Sequence, residues 1–561
     1  MQFKKTLVRL LLILFPLAGT AQTTYLPLGD KANILIDRLE IKQKNDSAFN
    51  FSKTRPFSRQ SIVSTINQWN NTGNNSLKLS KVDQHNLNSL LMNNIEFLAD
   101  KSKFKSKKPI GKRFYQTPAN LYEVHIKDFD LLINPVIQVT VSKEKNNSET
   151  LYQNTRGLNL RGRIANKIGF YAYVTDNQEK VPLYVRDWVN RRKAVPGQGF
   201  YKPFKNTGYD YFDARGYFTF NVTKYIDVTF GYDKNFIGNG YRSLLLGDGS
   251  SNNLFLKLNT RIWKFNYQNL FMELQSASVP GGDKLVPKKY AAMHHLDISV
   301  TKWLNIGLFE GVIFGRKDHF DFGYLNPIIF YRSIEQQNGS FDNSVVGLDA
   351  KANFDRKLQV YGQLSVDEFL LGEITKNRGY WGNKIGIQLG AKYIDAFGVS
   401  NLDLQFEHNR VRPFTYSHRD SVANYSHYNQ PLAHPLGANF KEYIGIARYQ
   451  PAPKWLTVAK LIYYQQGRDS SSTRSFGSNI LLPNVAPTRL GDYGYSIGSG
   501  WKTNVFYASF LLSYEWRENL FLELNAVYRK QDTKTPPVTS TNTSVISLGV
   551  RWNMSRREFD Y

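Results

Sequence analysis

The stretch from residue 214 to residue 274 constrains the fold most strongly, because it repeats strand, tight turn, strand and long loop. Two alternating runs, 216–222 and 226–232, are separated only by the turn residues 223–225. A glycine-rich loop follows at 235–243, and two further strand-like runs close the stretch. Short turns on one side and long loops on the other are typical of an up-and-down outer-membrane barrel.

Polar or basic turns that lead directly into a new alternating run recur along the rest of the chain. They occur at 223–228, 301–306, 355–360, 453–458 and 517–522. Between them lie longer segments rich in Gly, Asn and Pro, at 176–210, 234–253, 275–293, 315–345, 407–443 and 466–500. We interpret the turns as periplasmic and the long segments as external loops.

The strands predicted in this way lie within residues 116–561. At about 9–11 residues per strand, residues 120–561 leave room for about 16–18 strands. The sequence therefore predicts an all-β fold, a large antiparallel transmembrane β-barrel, with a small N-terminal α-helical domain. The last alternating run, 545–554, lies close to the aromatic terminus Tyr561, and we expect the barrel-insertion machinery to recognise it.

Aromatic side chains are unusually abundant, with 34 Tyr and 37 Phe among 561 residues. The mean hydropathy is nevertheless −0.43, so the chain as a whole is polar. This combination suits a barrel with aromatic girdles at both membrane interfaces and a polar lumen. A soluble all-β protein rich in aromatic residues is the alternative that composition alone leaves open.

The N-terminal region differs from the barrel in its pattern. Residues 1–21 have the form of a secretory signal peptide, with a basic start, a short apolar run and small residues at the cleavage site. No later stretch is apolar enough for a transmembrane helix, so insertion in a membrane requires a barrel. Within 22–115, apolar residues recur at helical spacing in 32–40, 58–69 and 80–98, which predicts a small periplasmic helical domain.

The formal net charge of +26 favours polyanionic partners. Acidic capsular or surface polysaccharide fits this charge, as does the anionic lipid of the outer membrane, including lipopolysaccharide. The basic residues are spread over strands and loops without a nucleic-acid-binding motif, so we expect no nucleic-acid partner. The chain has no cysteine, which excludes disulfides, thiolate metal sites and a cysteine nucleophile.

No residue pattern in the chain supports catalysis. His294 and His295 are adjacent, so on a strand they point to opposite faces and make a poor metal site. The adjacent acids Asp367 and Glu368 diverge for the same reason, and no second carboxylate pair for glycoside hydrolysis accompanies them. We therefore expect no enzyme activity, no cofactor and no metal.

Two loop segments combine the side chains that hold sugars, namely aromatic faces and planar, multidentate hydrogen-bonding groups. Arg suits acidic sugars because its guanidinium matches the geometry of a carboxylate. The candidate polysaccharide-binding residues are Tyr331, Arg332, Glu335 and Asn338 in the first segment, and Arg410, Arg412, Tyr416, His418, Tyr425 and His434 in the second. The alternative is that these residues pack the loops over the mouth of the barrel.

Several segments, taken in order, resemble one family. They are 35–39 with 55–59, 236–245, 326–332 and 428–437. The chain resembles the Wzi-type capsule-assembly outer-membrane proteins in the form found in Bacteroidetes. The resemblance implies an 18-stranded barrel with an N-terminal helical bundle and a lectin-like role in attaching capsular polysaccharide to the cell surface. Some Bacteroidetes relatives are associated with gliding motility, so a gliding-motility or adhesion-related surface protein is one alternative, and an outer-membrane porin or transport channel is another.

Overall fold

The structure is a computed structural model that describes residues 23–43, 49–71, 79–276, 285–317, 319–328, 330–339, 341–535 and 537–561. The predicted signal peptide at 1–21 lies outside the described residues. Eighteen antiparallel strands, each paired with its neighbours in sequence, form a closed barrel. This confirms the predicted fold and the upper end of the predicted strand number.

The barrel strands are numbered here in chain order. They are β1 (Phe129–Glu144), β2 (Thr150–Ile164), β3 (Ile168–Lys180), β4 (Gly208–Thr223), β5 (Ile226–Asp233), β6 (Asn253–Ile262), β7 (Phe265–Gln275), β8 (Lys288–Ser299), β9 (Leu304–Phe314), β10 (Asn343–Phe354), β11 (Leu358–Glu368), β12 (Lys384–Tyr393), β13 (Leu402–Val411), β14 (Phe440–Tyr449), β15 (Trp455–Arg468), β16 (Trp501–Arg517), β17 (Leu520–Thr533) and β18 (Thr539–Trp552). β18 returns to pair with β1, where Leu548 lies opposite Val141, and this pairing closes the ring. The remaining short strands are Thr54–Arg55, Tyr122–Ile126, Lys202–Phe204, Phe236–Ile237, Ser426–His427 and Gln430–Pro431.

Side chains alternate between the lumen and the outer wall along each strand, because successive residues of a strand point to opposite faces. In β9, Phe309 and Ile313 are buried in the lumen, whereas Leu308 on the outer wall is 49% exposed. The same alternation exposes Leu348 of β10 and Leu389 of β12 on the outer wall. This apolar outer wall is what a barrel in a lipid membrane requires. None of the described helices is long and apolar enough to cross a membrane.

Turn lengths differ between the two ends of the barrel. All five predicted turns join an even-numbered strand to the next strand, and all six predicted loops follow odd-numbered strands. A further loop at 369–383, between β11 and β12, is not among the six predicted external loops. Trp263, Trp303 and Trp455 stand exposed at the short-turn end, where an indole ring lies with its polar edge toward water at a membrane interface.

Six α-helices are present among the described residues: α1 (Ala32–Gln43), α2 (Arg59–Asn71), α3 (Lys81–Met92), α4 (Leu183–Arg192), α5 (Tyr331–Gln337) and α6 (Leu371–Lys376). The first three lie where helical spacing was predicted. α3 begins with a capping box, in which Ser80 Oγ accepts a hydrogen bond from Asp83 N at 2.9 Å and Asp83 Oδ2 accepts one from Ser80 N at 3.2 Å. Ser58 Oγ likewise accepts a hydrogen bond from Ser61 N in the first turn of α2.

Ion pairs from α1 and from the residue before it hold the N-terminal helices on the short-turn end of the barrel. Lys31 Nζ lies 2.5 Å from carboxylate oxygens of both Glu515 and Glu518 at the turn between β16 and β17. Burial opposes the charge on Lys31, but these two acids raise its pKa above the ordinary value. Arg38 of α1 lies 2.9 Å from Asp395, in the connection between β12 and β13. The described part of the predicted N-terminal domain is thus fixed to one end of the barrel.

Candidate functional site

Segments from distant parts of the chain occupy the lumen. Thr54–Arg55 pairs with Phe236–Ile237 of the loop between β5 and β6, so an N-terminal segment and an infolded loop meet inside the barrel. Residues 244–245 of this loop are fully buried, and their carbonyls accept hydrogen bonds from the hydroxyls of Tyr416 and Tyr425 at 2.7 and 2.6 Å. The protein's own loops therefore fill the centre of the barrel, which argues against a wide aqueous channel.

The C-terminal tail, residues 553–561, also folds back into the lumen after β18 ends. The carboxylate of Asp560 accepts hydrogen bonds from Arg242 Nη2 at 2.8 Å and from Lys460 Nζ at 2.7 Å. Burial alone would raise the pKa of Asp560, but these two cations hold it below its ordinary value. The tail is therefore held in the lumen by ion pairs, a position that the sequence pattern does not predict.

A cavity of about 470 Å³ remains between the N-terminal segment, the infolded loop and the tail. Its volume lies in the range of about 300–1,000 Å³ that is usual for ligand pockets. The basic residues in its lining are Lys31, Arg55, Arg59, Arg161, Arg215, Lys234, Arg242, Lys392, Arg448, Arg551, Arg556 and Arg557. Burial lowers the pKa of Lys234 to about 8. Twelve of the 72 Lys and Arg residues thus line this cavity, together with six Asp and Glu residues.

The structure buries most of the predicted binding residues in the loop between β13 and β14. Tyr416, Tyr425 and His434 are fully buried, and His418 is 8% exposed. His434 Nε2 lies 2.7 Å from Glu442 Oε2. Burial lowers the pKa of both histidines below the ordinary value, so they stay neutral near neutral pH. These side chains hold the loop against the lumen, as the packing alternative describes.

The predicted residues do not converge on one surface. In the first segment Tyr331 and Glu335 are buried, whereas Arg332 and Asn338 are exposed. This segment lies against the outer wall of β8 and β9. Arg410 is exposed on the outer wall of β13, on the face opposite the lumen.

Arg412 is the predicted residue that contacts a candidate site at the long-loop end of the barrel. Its Nε donates a hydrogen bond to the Asn383 carbonyl at 2.6 Å, and its Nη2 donates one to the Tyr380 carbonyl at 3.3 Å. Arg412 therefore fixes the end of the loop between β11 and β12. That loop pairs with the loop between β15 and β16, since Trp381 N donates to the Asp492 carbonyl at 3.0 Å. Two loops far apart in sequence thereby form one surface.

This surface carries three aromatic rings and two arginines, and we call it the external platform: Tyr380, Trp381, Tyr493, Arg378 and Arg489. The Arg378 guanidinium lies 4.3 Å from the centre of the Tyr493 ring, and the Arg489 guanidinium lies 4.2 Å from the centre of the Trp381 ring. The Tyr380 and Tyr493 rings are 5.7 Å apart. Tyr493 is 47% exposed, so the platform faces solvent.

Both platform arginines have counter-ions. Arg378 Nη2 donates hydrogen bonds to the two carboxylate oxygens of Glu373 at 2.7 and 2.9 Å, and these bonds raise the pKa of Arg378. Arg489 pairs with Asp492. The platform therefore offers one exposed ring, that of Tyr493, and two partly buried rings beside fixed guanidinium and carboxylate groups. This combination can stack on a sugar ring and bond its hydroxyl or carboxylate groups.

The external platform was not predicted from the sequence, although each of its two loops carries a local signal. Both loops have an aromatic-glycine composition, in the runs 378–382 and 491–495. Gly379 and Gly494 adopt left-handed backbone conformations, with φ of 70° and 85°, which glycine reaches without strain.

Among the described residues, no group of three or more His, Asp and Glu side chains could hold a metal ion.

The comparisons with known proteins agree with the barrel. No curated protein matches the chain. Among solved structures, Wzi of Escherichia coli, described as a carbohydrate-binding β-barrel of the outer membrane involved in group 1 capsule assembly, has a TM-score of 0.57 at 13% identity, covering 95% of this chain and 100% of that chain. OprD of Pseudomonas aeruginosa has a TM-score of 0.43 at 10% identity, covering 76% of this chain and 96% of that chain. The profile of the family described as capsule assembly protein Wzi matches residues 157–553, and this extent shows that the chain belongs to the Wzi family of capsule assembly proteins.

Proposed function

We propose that this outer-membrane barrel binds surface polysaccharide at its external loops and holds it at the cell surface without catalysing a reaction. The external platform is the observation that carries the proposal. Family membership supports it, because the Escherichia coli relative is described as carbohydrate-binding and as involved in capsule assembly. The infolded loop and tail in the lumen favour binding over transport.

The platform suits a sugar polymer for physical reasons. The exposed ring of Tyr493 and the partly buried ring of Trp381 beside it can pack against the apolar face of a pyranose ring. Arg378, whose side chain is 48% exposed, offers planar donors to hydroxyl and carboxylate oxygens. Arg489 is 13% exposed and bonds Asp492 and the Asn484 carbonyl. The formal charge of +26 adds long-range attraction for an acidic polysaccharide, which is the class we propose.

The proposal also includes an orientation in the membrane. The long loops face the cell exterior, and the helices of the N-terminal domain, residues 22–115, lie in the periplasm because they dock on the short-turn end, while the segment around Thr54–Arg55 enters the lumen. Arg410 is exposed near the long-loop end of β13, and we place it at the edge of the polysaccharide-facing surface, whereas Arg332 and Asn338 belong to the segment against the outer wall. Arg412 fixes the backbone at Tyr380 through its hydrogen bond to the Tyr380 carbonyl.

Purified protein provides the first test. We expect Trp381→Ala and Tyr493→Ala each to weaken binding to an acidic capsular polysaccharide by about five- to tenfold, since an aromatic contact contributes about 1 kcal/mol. Trp455→Ala is the matched control, because Trp455 is 40% exposed at the opposite end of the barrel and should bind as the unsubstituted protein does. Equal binding by all three variants would remove the platform from the proposal.

Cells lacking the protein provide the second test, which addresses the biological role. We expect capsular polysaccharide to be released into the culture medium while its synthesis continues. A capsule that stays on the cells, together with lost surface spreading or adhesion, would instead support the gliding-motility or adhesion alternative.

A further inference from the structure

The loop between β9 and β10 folds down over the outside of the barrel instead of projecting beyond the strand ends. We call the described residues of this loop, 315–317, 319–328, 330–339 and 341–342, the outer-wall strap. The ring of Tyr331, at the start of α5, lies 3.8 Å from the ring of His294 on β8, measured between centroids. Tyr267 on β7 donates a hydrogen bond to the Pro327 carbonyl of the strap. His294 and Tyr267 both belong to the outer wall, because their neighbours His295 and Gln268 are buried on the lumen side.

The strap covers a carboxylate that would otherwise face lipid. Glu310 lies on the outer wall of β9, in line with the exposed Leu308. Its two carboxylate oxygens accept hydrogen bonds from the backbone N–H groups of Tyr331 and Arg332, both at 2.8 Å. The side chain is consequently buried, at 6% exposure. An ionisable group open to acyl chains is costly. The strap therefore shields the Glu310 carboxylate from lipid, and the hydrogen bonds to Glu310 hold the strap on the wall.

The depth of Glu310 places the strap beside the hydrocarbon region. Trp303 marks the membrane interface at the short-turn end, and β9 begins at the next residue. At about 3.4 Å per residue and a tilt of about 40°, Glu310 lies about 15 Å along the barrel axis from Leu304. The apolar band of an outer-membrane barrel is about 25 Å tall. Residues that touch Glu310 therefore lie within that band.

The exposed side chains of the strap are both polar and apolar. The polar ones include Lys317, His319, Gln336, Gln337 and Asn338, and the three most exposed large apolar ones lie between residues 322 and 330. Phe322, Ile328 and Phe330 are 80%, 85% and 77% exposed. Arg332 is also exposed and lies 3.1 Å from Glu335, and its long side chain can reach toward lipid phosphates. We infer that the outer-wall strap is embedded in the outer leaflet of the membrane, with these three apolar side chains against acyl chains. The strap continues the lipid-facing surface that Leu308 begins.

The absence of cysteine from the chain allows a direct test with three single-cysteine variants labelled with a fluorophore. Phe330→Cys reports on the strap, Leu308→Cys on the lipid-facing wall, and Leu490→Cys, at a position that is 58% exposed in an external loop, on water. Each labelled protein is reconstituted in phospholipid vesicles with and without brominated acyl chains, and aqueous iodide is added separately. Slower migration of heated than of unheated samples on a denaturing gel verifies that each barrel is folded.

We expect the Phe330→Cys label to behave like the Leu308→Cys label, with most of its fluorescence lost to brominated lipid and little to iodide, and the Leu490→Cys label to show the reverse. Quenching of the Phe330→Cys label by iodide alone would place the strap in water and overturn the inference. Protection from both quenchers, together with thiol cross-linking between two copies of the unlabelled Phe330→Cys variant, would also overturn it, because a second copy would then cover the strap.

Discussion

Replacing Glu40 with Gln should detach the N-terminal helices from the barrel. Glu40 on α1 is paired with Lys351 on β10, and the two side chains are 1% and 0% exposed. After Glu40→Gln, Lys351 Nζ keeps its hydrogen bond to Ser52 Oγ at 2.6 Å but loses its carboxylate partner. Breaking a buried ion pair from one side costs about 3–5 kcal/mol, because the remaining charge stays buried without compensation.

This free-energy cost weakens the docking of the N-terminal helices on the barrel. Since each 1.4 kcal/mol is a factor of ten, the ratio of docked to undocked protein should fall by about two to three and a half orders of magnitude. Limited trypsin digestion of the folded protein in detergent measures this ratio, with mass spectrometry counting cleavage inside residues 32–92. The barrel strands serve as the internal standard, because their backbone is fully paired.

Two controls separate the ion pair from general damage. The double substitution Glu40→Met with Lys351→Met removes both charges and should restore most of the protection, since a buried pair can often be replaced by apolar residues at little cost. Asp532→Asn should change nothing, because Asp532 and Lys530 form a surface pair with 42% and 47% exposure. Digestion of Glu40→Gln at the unsubstituted rate would refute the reasoning, as would a double variant no better than the single one.

Three further predictions concern the tail, the docking interface and the external platform. Asp560→Asn removes the carboxylate that Arg242 contacts, so the tail should loosen and single-channel recordings should show more frequent openings. Burial opposes ionisation of Asp395, but Lys42 and Arg38 of α1 lower its pKa to about 2. Because an unfolded Asp has a pKa of about 3.9, its contribution to docking is complete above about pH 4, and pepsin digestion should show that contribution disappear as the pH falls toward 2. Arg412→Gln should weaken polysaccharide binding by about tenfold through loss of charge-assisted hydrogen bonds, with unchanged melting of the barrel.

The barrel could be predicted because its signals are local. Alternation of period two fixes which side chains face lipid, and each short turn is visible within a few residues of sequence. The loop at 369–383 escaped because Phe369, Leu370 and Leu371 form an apolar run, although all three are more than half exposed in the structure. An exposed apolar run in an external loop and a strand end have the same local composition.

The candidate site could not be predicted in the same way, because it depends on contacts between distant loops. Tyr416 and Tyr425 have the composition of a sugar-binding surface, yet their hydroxyls bond the carbonyls of the infolded loop, more than 170 residues away in sequence. Trp381 and Tyr493 become neighbours only through the backbone pairing of two loops. The direction in which the outer-wall strap folds cannot be predicted either. The composition of residues 315–342 does not distinguish a loop that projects outward from one that enters the lumen or lies over the outer wall.

The distribution of charge changes the argument that links the sequence to a polyanion. The formal charge of +26 suggested a basic outer surface, but many of the cations line the lumen cavity and several are paired there with buried acids. On the external platform each arginine already has a carboxylate partner, Glu373 for Arg378 and Asp492 for Arg489. Net charge therefore contributes to long-range attraction, whereas selectivity has to come from ring stacking and from exchange of these carboxylates for those of the ligand. A neutral sugar chain would keep the stacking and lose the exchange, so the ion pairs of the platform, rather than the total charge, determine how strongly acidic polymers are preferred.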